Sequence, residues 1–531
     1  MPETKKDILT EICEKRRADM EAKGLTFGHA IPEIRERPVV PFLAEPGTIL
    51  EIKRSSPSKG MIAPDLKADK TAKSYIKAGT KAISCLTEER YFNGSLEDLI
   101  KTCKTAGKKC AVLRKDFLLE PDEIEISYKC GCDAVLLIAR ILEENKLFAM
   151  AEKAFAMDLT VLLELREDSD IEKACKVLEI AEKLHKSDKI ILGINSRDLA
   201  TFKIDLLIPL KLKERISNFF ESKKLKVPAP RIISESGVST PESAKFVGSV
   251  GFHGVLIGEA AARNPKKAKE LVKAFKTGAA KDFPANFYAF WKKLAALIEL
   301  NGSSKPLVKI CGLTQKEDAV KAAELGASIL GFIFAEKSPR TNSPDDANKI
   351  RGIRRQLEKL YSEGSIPVMP LLVGVIVDPA SEHGLAAYEM FYQGILDGIQ
   401  FHGCGEYAQS FAGYPVVPVS EEADLAALDE FFAAGFPRIL IDAKNLSESN
   451  AQGDVRYGGT GKCIPEKIVA AAAKKKILWL SGGISLDNAA SLVKSFSPEL
   501  IDVNSGLEVS AGKKDHEKMQ KLFKIIEENS K

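Results

Sequence analysis

The chain has 531 residues, which is too long for one ordinary domain and fits two domains of roughly 250 residues each. Hydrophobic residues make up 45% of the chain and charged residues 29%, a composition typical of a globular enzyme. The 78 cationic and 74 anionic residues leave a net charge of only +4, which argues against a general nucleic-acid-binding protein.

The cysteines and the N-terminal segment indicate a cytoplasmic protein. The ten cysteines form no C-x-x-C pair, and the close pair Cys130 and Cys132 has no His or Cys partner at zinc spacing. We therefore expect reduced thiols, no metal site and no cofactor. The segment 8–23 has the apolar spacing of an amphipathic helix, not of a signal sequence. The apolar runs are too short to cross a bilayer, so no membrane contact is expected.

Short apolar segments alternate with helical stretches through the first half of the chain. Strands are predicted at 49–53, 82–86, 110–113, 134–138, 160–165, 190–194, 231–234 and 255–257. Helices between successive strands indicate a parallel sheet, because a parallel pair needs a crossover connection. Eight such units in about 230 residues match the size of one closed (β/α)8 barrel.

The same alternation begins again after residue 305. Strands are predicted at 307–311, 329–334, 371–377, 398–401, 416–419, 438–441, 477–480 and 500–503. The predicted fold class is therefore α/β, with two consecutive (β/α)8 TIM barrels. We expect a first barrel at 1–276, a linker region at 277–305 and a second barrel at 306–531. A polar insertion at 444–457 follows the sixth strand, on the face where long loops of this fold are usually functional.

Acids, bases and glycines follow the strands of the first barrel, at the end where active sites of this fold lie. They are Glu51, Lys53, Arg114, Lys115, Asp116, Glu164, Asn195, Arg197, Glu235, Ser236, Gly237, Gly258 and Glu259. Two lysines and three carboxylates that meet in one pocket form an acid–base set, although single members could be ion pairs that only balance one another. The glycines after strands seven and eight suit a phosphate cup or ordinary tight turns.

Several of these segments carry a family resemblance. Residues 51–60 (EIKRSSPSKG) resemble the signature of the indole-3-glycerol-phosphate synthases, and residues 112–117, 193–199 and 234–237 match further motifs of that family in order. The resemblance covers roughly residues 1–275. It implies a carboxy-lyase that closes the ring of an anthranilate-derived deoxyribulose phosphate, with loss of carbon dioxide and water.

The resemblance also implies roles for the strand-end residues. Lys115 would be the general acid at the substrate carbonyl, and Glu164 would be the general base in dehydration. Lys53 would be a second catalytic lysine, and the division of the acid steps between the two lysines stays open. The implied substrate-binding residues are Glu51, which holds Lys53, and Asn195, Arg197 and Glu235. The implied phosphate-binding residues are Ser56, Ser236, Gly237, Gly258 and Glu259.

The second barrel has a different set of strand-end residues. Cys311 ends its first strand and Asp442 ends its sixth, although a cysteine there is commonly a small buried hydrophobe and an aspartate can be a helix cap. Arg340 follows the second strand, and His402 ends the fourth. Glycine-rich segments at 458–462, 481–483 and 504–506 suit phosphate binding. The first of them fails the G-x4-G-K-[ST] pattern of a nucleotide P-loop at Arg456 and at Cys463.

These segments resemble the phosphoribosylanthranilate isomerases over roughly residues 306–531. The resemblance implies an intramolecular isomerase that converts an aminoaldose phosphate to an aminoketose phosphate. Asp442 would protonate the ring oxygen, and Cys311 would take the C2 proton. Arg340 and His402 would bind substrate, and Gly482, Gly483, Ser505 and Gly506 would hold its phosphate. The segment 462–465 (KCIP) departs from the family, which usually has an aromatic residue and an aspartate there.

The two implied reactions are consecutive steps of tryptophan biosynthesis, so the sequence predicts a bifunctional enzyme. One alternative is a synthase whose second barrel only binds phosphate without catalysis. Another is a barrel that acts on a different phosphosugar, as the histidine-pathway isomerases do. We expect a monomer with small phosphosugar substrates, and an intermediate that diffuses freely between the sites. Contact with other tryptophan-pathway enzymes stays open.

Overall fold

The computed structural model describes residues 8–197, 204–223, 227–281, 288–302, 305–402, 412–444, 463–475 and 477–530. The chain divides into two compact units, residues 1–283 and 284–531. Among the described residues, no helix combines the length and apolarity needed to cross a membrane.

In the described part of the first unit, eight parallel strands close into a barrel, and the first strand pairs with both the second and the eighth. The strands are Gly47–Ile52, Ala82–Leu86, Ala111–Lys115, Ala134–Ile138, Thr160–Leu165, Ile190–Asn195, Arg231–Glu235 and Gly254–Ile257. Their inward side chains form a core of aliphatic residues such as Ile49, Leu113 and Leu162. The prediction of a first (β/α)8 barrel is confirmed, and the strand ends differ from the prediction by only a few residues.

Helices surround this barrel and begin at residues suited to that position. Ser95 caps one helix by accepting a hydrogen bond from the backbone N–H of Asp98. Thr240 and Ser243 form a capping box at the start of the helix Pro241–Ser249. The helices are Ile8–Lys23, Ala68–Ala78, Leu96–Ala106, Asp122–Lys129, Glu144–Ala156, Asp168–Lys183, Ile208–Lys223, Pro241–Ser249, Glu259–Arg263 and Ala268–Gly278.

The described part of the second unit holds a second closed barrel of eight parallel strands, as predicted. The strands are Leu307–Ile310, Ile329–Phe334, Leu371–Ile376, Gly398–His402, Gly413–Val419, Leu440–Ala443, Trp479–Leu480 and Leu500–Val503. The helices of this unit are Ala289–Asn301, Lys316–Glu324, Ala347–Ser362, Glu382–Tyr392, Ala426–Ala434, Glu466–Lys475, Ala489–Phe496 and His516–Asn529. The predicted functional insertion at 444–457 lies, from residue 445 on, outside the described residues.

The helix Ala289–Asn301 packs on the second barrel, although the sequence places it in a linker region at 277–305. Phe290 is fully buried, and its ring lies 5.5 Å from that of Tyr414. Gly398 leaves room for this ring, because a Cβ at residue 398 would lie 2.6 Å from Phe290 Cδ2. Lys293 adds an ion pair of 2.5 Å to the buried carboxylate of Asp397. The helix therefore belongs to the second unit, which starts at residue 284.

Replacement of Phe290 by alanine tests this packing. We expect Phe290→Ala to lower the free energy of unfolding of the second unit by about 3–5 kcal/mol, because it removes a buried ring and leaves a cavity. Urea unfolding followed by tryptophan fluorescence measures this, since both tryptophans, Trp291 and Trp479, lie in that unit. Leu300→Ala, at a 71% exposed position of the same helix, is the control and should change stability by less than about 0.5 kcal/mol. Equal effects of the two variants would contradict the packing.

Candidate functional site

The structure brings together the predicted acids and bases of the first barrel. Lys115 Nζ lies 3.1 Å from Glu235 Oε2 and 3.6 Å from Glu164 Oε2. Lys53 Nζ lies 3.3 Å from Glu51 Oε1, and both side chains project from the end of the first strand because residues two apart share one face. The five side chains thus form two ion-paired groups at the C-terminal ends of the strands.

Burial and pairing set the charges in this cluster. Burial alone would lower the pKa of Lys115, but the carboxylates of Glu235, Glu164 and Glu51 raise it above its ordinary value. Burial raises the pKa of Glu235 to about 7, against the opposing effect of Lys115. Lys115 is therefore a protonated acid at neutral pH, while Glu235 changes charge near neutrality.

Two glycines make room for the buried carboxylates. A Cβ at Gly193 would lie 2.2 Å from Glu235 Oε1, and a Cβ at Gly258 would lie 2.6 Å from Glu51 Oε1. A side chain at either glycine would therefore displace the carboxylate from its present position. Gly193 and Gly258 therefore leave space inside the barrel for the two acids, a role that the sequence does not indicate.

Aromatic rings next to Lys53 were not predicted. Lys53 Nζ lies 5.5 Å from the ring centroid of Phe92, in a cation–π arrangement, and Phe92 lies 6.1 Å from Phe117. Phe117 follows the third strand by two residues, and this position is the one signal in the sequence that could have identified it. The two rings give the polar site an apolar side that suits an aromatic substrate group.

The loop after the first strand contacts the sixth strand. Ser55–Ser56 pairs with Gly60–Met61 as a small hairpin, and Ser58 Oγ accepts a hydrogen bond of 3.3 Å from Arg197 Nη1. Asn195 Oδ1 accepts one of 3.0 Å from the backbone N–H of Arg197. Ser58 Oγ also lies 3.4 Å from Ser56 Oγ. Hydrogen bonds therefore connect Ser56, through Ser58 and Arg197, to Asn195 at the end of the sixth strand.

Four of the five predicted phosphate residues lie after strands seven and eight, and Ser56 follows strand one. Ser236 and Gly237 have φ angles of 67° and 83°, a left-handed turn that is costly at serine. Gly258 precedes the short helix Glu259–Arg263, and the carboxylate of Glu259 accepts a hydrogen bond of 3.0 Å from Arg263. Glu259 can therefore offer a phosphate its backbone N–H rather than its carboxylate.

Two of the strand-end residues lie outside the barrel interior. Asp116 accepts hydrogen bonds from Arg16 at 2.7 Å and from Arg114 at 3.2 Å, and Arg16 also pairs with Glu123. Since Lys115 points inward, its two neighbours must point toward the surrounding helices. Arg114 and Asp116 therefore stabilise the packing of the helix Ile8–Lys23 and do not belong to the acid–base set.

In the second barrel, the sulfur of Cys311 lies within hydrogen-bond distance of a buried lysine. Lys309 Nζ lies 3.3 Å from Cys311 Sγ, 2.7 Å from Gln400 Oε1 and 2.5 Å from Asp502 Oδ2. Burial raises the pKa of the Cys311 thiol above its ordinary value, and the ammonium group of Lys309 offsets part of this rise. Lys309 was not predicted as a site residue, although its position on the first strand, two residues before Cys311, could have indicated it.

Asp442 pairs with His402, which the family resemblance implies as a substrate-binding residue. His402 Nε2 lies 3.0 Å from Asp442 Oδ2, and Asp442 Oδ1 accepts a hydrogen bond of 2.9 Å from the backbone N–H of Ala443. Gly482 keeps the space beside this carboxylate open, because a Cβ there would lie 3.0 Å from Asp442 Oδ1. The imidazole and the backbone therefore fix the orientation of the acid.

Arg340 is held by Glu508, a further residue that the sequence did not indicate. Glu508 accepts hydrogen bonds from Arg340 Nε at 2.9 Å and from Arg340 Nη2 at 2.8 Å, and from Lys514 Nζ at 2.9 Å. Burial opposes ionisation of Glu508, but Arg340 and Lys514 lower its pKa below the ordinary value. The carboxylate occupies the Nε–Nη2 edge of the guanidinium, so the Nη1–Nη2 edge faces away from it.

The predicted phosphate loops of the second barrel adjoin one another. Gly482 and Gly483 follow the seventh strand with φ angles of 87° and 63°, and Ser505–Leu507 forms a 3-10 turn after the eighth. A Cβ at Gly506 would lie 2.3 Å from the carbonyl oxygen of Ile484, so the two loops touch. The third glycine-rich segment, 458–462, lies outside the described residues.

Family models match the two barrels in turn. A model for indole-3-glycerol phosphate synthase matches residues 10–274, and a model for N-(5'-phosphoribosyl)anthranilate isomerase matches residues 308–525. The multifunctional tryptophan biosynthesis protein of Phycomyces blakesleeanus is 30% identical to the chain, over 98% of the chain and 69% of that protein. The chain belongs to this family of fused tryptophan biosynthesis enzymes.

Other relatives agree with this assignment. The multifunctional tryptophan biosynthesis protein of Schizosaccharomyces pombe is 28% identical over 91% of the chain and 60% of its own length. The indole-3-glycerol phosphate synthase of Geobacillus thermodenitrificans is 32% identical and matches half of the chain, with 96% of its own length covered. In the described residues, no group of three or more His, Cys, Asp or Glu is placed to hold a metal ion.

Gly193→Ala tests the fit of Glu235 in the synthase barrel. The added methyl group displaces the Glu235 carboxylate from Lys115, so we expect the synthase kcat to fall by at least about tenfold, the effect of a misplaced catalytic group. The isomerase rate of the same molecule is the internal control and should not change. Gly352→Ala is the control variant, at a helix position with no neighbour within 4 Å of the new Cβ. It should leave the synthase and isomerase rates unchanged. A fully active Gly193→Ala synthase would contradict the geometry.

Proposed function

We propose that this chain converts phosphoribosylanthranilate to indole-3-glycerol phosphate in two steps, the first in the second barrel and the second in the first barrel. The observation that carries the proposal is that each barrel has its own acid–base cluster at the C-terminal ends of its strands. The first barrel has Lys115 with Glu164 and Glu235, and the second has Cys311 with Asp442. Two different clusters favour two catalytic barrels over a second barrel that only binds phosphate.

In the isomerase step, Asp442 protonates the furanose ring oxygen and the ring opens to a Schiff base. Cys311 then removes the C2 proton, and the resulting enolamine tautomerises to the ketone of the deoxyribulose phosphate. The hydrogen-bonded His402 orients Asp442. A general acid and a general base in fixed positions contribute about 100-fold to 10,000-fold each to such a reaction.

Arg340 is the proposed partner of the anthranilate carboxylate. Its Nε–Nη2 edge is held by Glu508, which leaves the Nη1–Nη2 edge to form a second bidentate pair. The Arg340, Glu508 and Lys514 charges sum to one positive charge, which the substrate carboxylate would neutralise. The substrate phosphate would lie at the backbone N–H groups of Gly482, Gly483, Ser505 and Gly506.

In the synthase step, Lys115 protonates the substrate carbonyl as the new ring bond forms, and the ring then loses carbon dioxide. Glu164 then removes a proton from the ring, while one of the two lysines, Lys53 or Lys115, protonates the hydroxyl group that leaves as water. Lys53 is the second cation of the site and is held by Glu51. Glu51, Asn195, Arg197 and Glu235 would position the substrate, and Ser56, Ser236, Gly237, Gly258 and Glu259 would surround its phosphate. The apolar rings of Phe92 and Phe117 would contact its aromatic ring.

We further propose that the protein works in the cytoplasm as a monomer and needs no cofactor. The buried cysteines among the described residues are free thiols, which suits a reducing compartment. Each proposed site is built from the strands of a single barrel, so neither requires a second copy of the chain. Acid–base catalysis by side chains suffices for both steps.

Two substitutions should separate the two activities. We expect Lys115→Met to lower synthase turnover by at least about 100-fold and Cys311→Ser to do the same to isomerase turnover, because each removes the main proton donor or acceptor of one step. Separate assays with phosphoribosylanthranilate and with the aminoketose phosphate measure the two rates. Each variant should keep its other activity, which serves as its control. A wild-type chain without isomerase turnover would establish the monofunctional alternative instead.

A mixture of the same two variants tests whether the intermediate diffuses between sites. Because each barrel has its own proposed site, we expect an equimolar mixture of Lys115→Met and Cys311→Ser to convert phosphoribosylanthranilate to indole-3-glycerol phosphate after a lag. Each variant alone should form almost none. A mixture that accumulates the aminoketose phosphate without forming the indole would argue that the intermediate must pass within one molecule.

A further inference from the structure

Lys309 lies inside the isomerase barrel, and its side chain is inaccessible to solvent. Its ammonium group has three N–H donors and three acceptors, which are Cys311 Sγ, Gln400 Oε1 and Asp502 Oδ2. Every donor is therefore matched, and one of the three is directed at the sulfur of the proposed base.

The strand register places these partners. Lys309 is the direct cross-strand neighbour of Asp502 in the pairing of the first and eighth strands, and Cys311 lies two residues further along the first strand. Gln400, on the fourth strand, also accepts a hydrogen bond of 3.0 Å from Tyr414. A buried ammonium is costly unless it is paired and hydrogen-bonded, and these partners supply both conditions.

We propose that Lys309 is a positioning residue that stabilises the thiolate of Cys311, the proposed general base of the isomerase, so that the inference rests on the proposed function of Cys311. The ammonium group donates a hydrogen bond to the thiolate, while Asp502 and Gln400 fix the ammonium below the sulfur. In the proton transfer the C2–H bond breaks and its proton goes to Sγ. The electron pair forms the C1–C2 double bond, and the C1–N π pair moves to nitrogen. Lys309 keeps its protons throughout.

Other charged groups also face Cys311, but their arrangement differs. The titratable or charged groups around the sulfur and its lysine are Lys309, Arg340, Tyr414, Asp442, Asp502 and Lys514. Arg340 and Lys514 are both paired with Glu508, whereas Lys309 contacts the sulfur directly. Lys309 is thus the cation best placed to stabilise the thiolate.

The test compares the pH dependence of Cys311 alkylation in the wild type and in Lys309→Met. Iodoacetamide reacts with the thiolate, so the rate at Cys311, followed by mass spectrometry of its peptide without substrate, reports the thiolate fraction. We expect the alkylation profile of Lys309→Met to move to higher pH by at least about one unit, and isomerase kcat/KM to fall at least about tenfold at neutral pH. High pH should restore much of the lost isomerase activity.

A second variant keeps the test valid if loss of the ammonium prevents folding. Lys309→Met/Asp502→Asn removes both charges of the buried pair, so no buried carboxylate loses its partner. Its alkylation profile should also move to higher pH, but by less than that of the single variant, because loss of the Asp502 charge lowers the pKa of Cys311. Lys513→Met, at an exposed lysine in the same unit, is the matched control and should leave both profiles unchanged. Synthase turnover of each variant reports the amount of active protein.

The outcomes separate the two claims. An alkylation profile of both Lys309 variants that overlays that of the wild type overturns the proposal, whatever the isomerase rate. A shifted alkylation profile together with a shifted isomerase profile supports it. A shifted alkylation profile with an unchanged isomerase profile supports the contact between Lys309 and Cys311 but overturns the role of Cys311 as the base.

Discussion

Each barrel keeps a lysine ammonium group among its strand ends, and the rest of each site is arranged to stabilise that buried charge. A cation removed from water is tolerated only when carboxylates and hydrogen-bond acceptors surround it. Lys115 has Glu164 and Glu235, and Lys309 has Asp502, Gln400 and the Cys311 sulfur. The same physical requirement accounts for the proposed acid of one barrel and for the lysine proposed to stabilise the thiolate base of the other.

The closed barrel meets this requirement because its strands bring distant residues to one layer. Lys309 and Asp502 are separated by 193 residues in the chain but are direct neighbours across the strands that close the barrel. Glycines at Gly193 and Gly258 then keep the interior wide enough for carboxylates. The ion pairs, the strand register and the two glycines thus depend on one another. A change in any of them should alter the pKa values of the buried acids and bases.

The sequence predicted the two barrels well because strand and helix periods are local properties. The alternation of side chains also placed Glu51 and Lys53 together, as the ion pair between them shows. The same alternation could have excluded Arg114 and Asp116 from the site, since neighbours of an inward Lys115 must point outward. The helix Ala289–Asn301 could not be assigned to the second barrel from its own sequence, because the residues that Phe290 contacts, Gly398 and Tyr414, lie more than 100 positions further along the chain.

Residues that act through distant partners could not be predicted in this way. Glu508 lies 168 residues from Arg340, and no local pattern connects them. Asp502 and Gln400 come within hydrogen-bond distance of Lys309 only through the strand register of the closed barrel. Apart from Phe92 and Phe117, the sequence therefore indicated the side chains proposed to touch substrate, while the groups that position those side chains required the three-dimensional arrangement.

The central claim is that one chain performs both reactions in succession. The most direct measurement supplies the purified protein with phosphoribosylanthranilate labelled at its carboxyl carbon and follows labelled carbon dioxide together with indole-3-glycerol phosphate. The account predicts that the two products form in equal amounts until the substrate is consumed. Substrate that is not consumed, or a labelled aminoketose phosphate that accumulates without release of carbon dioxide, would contradict it.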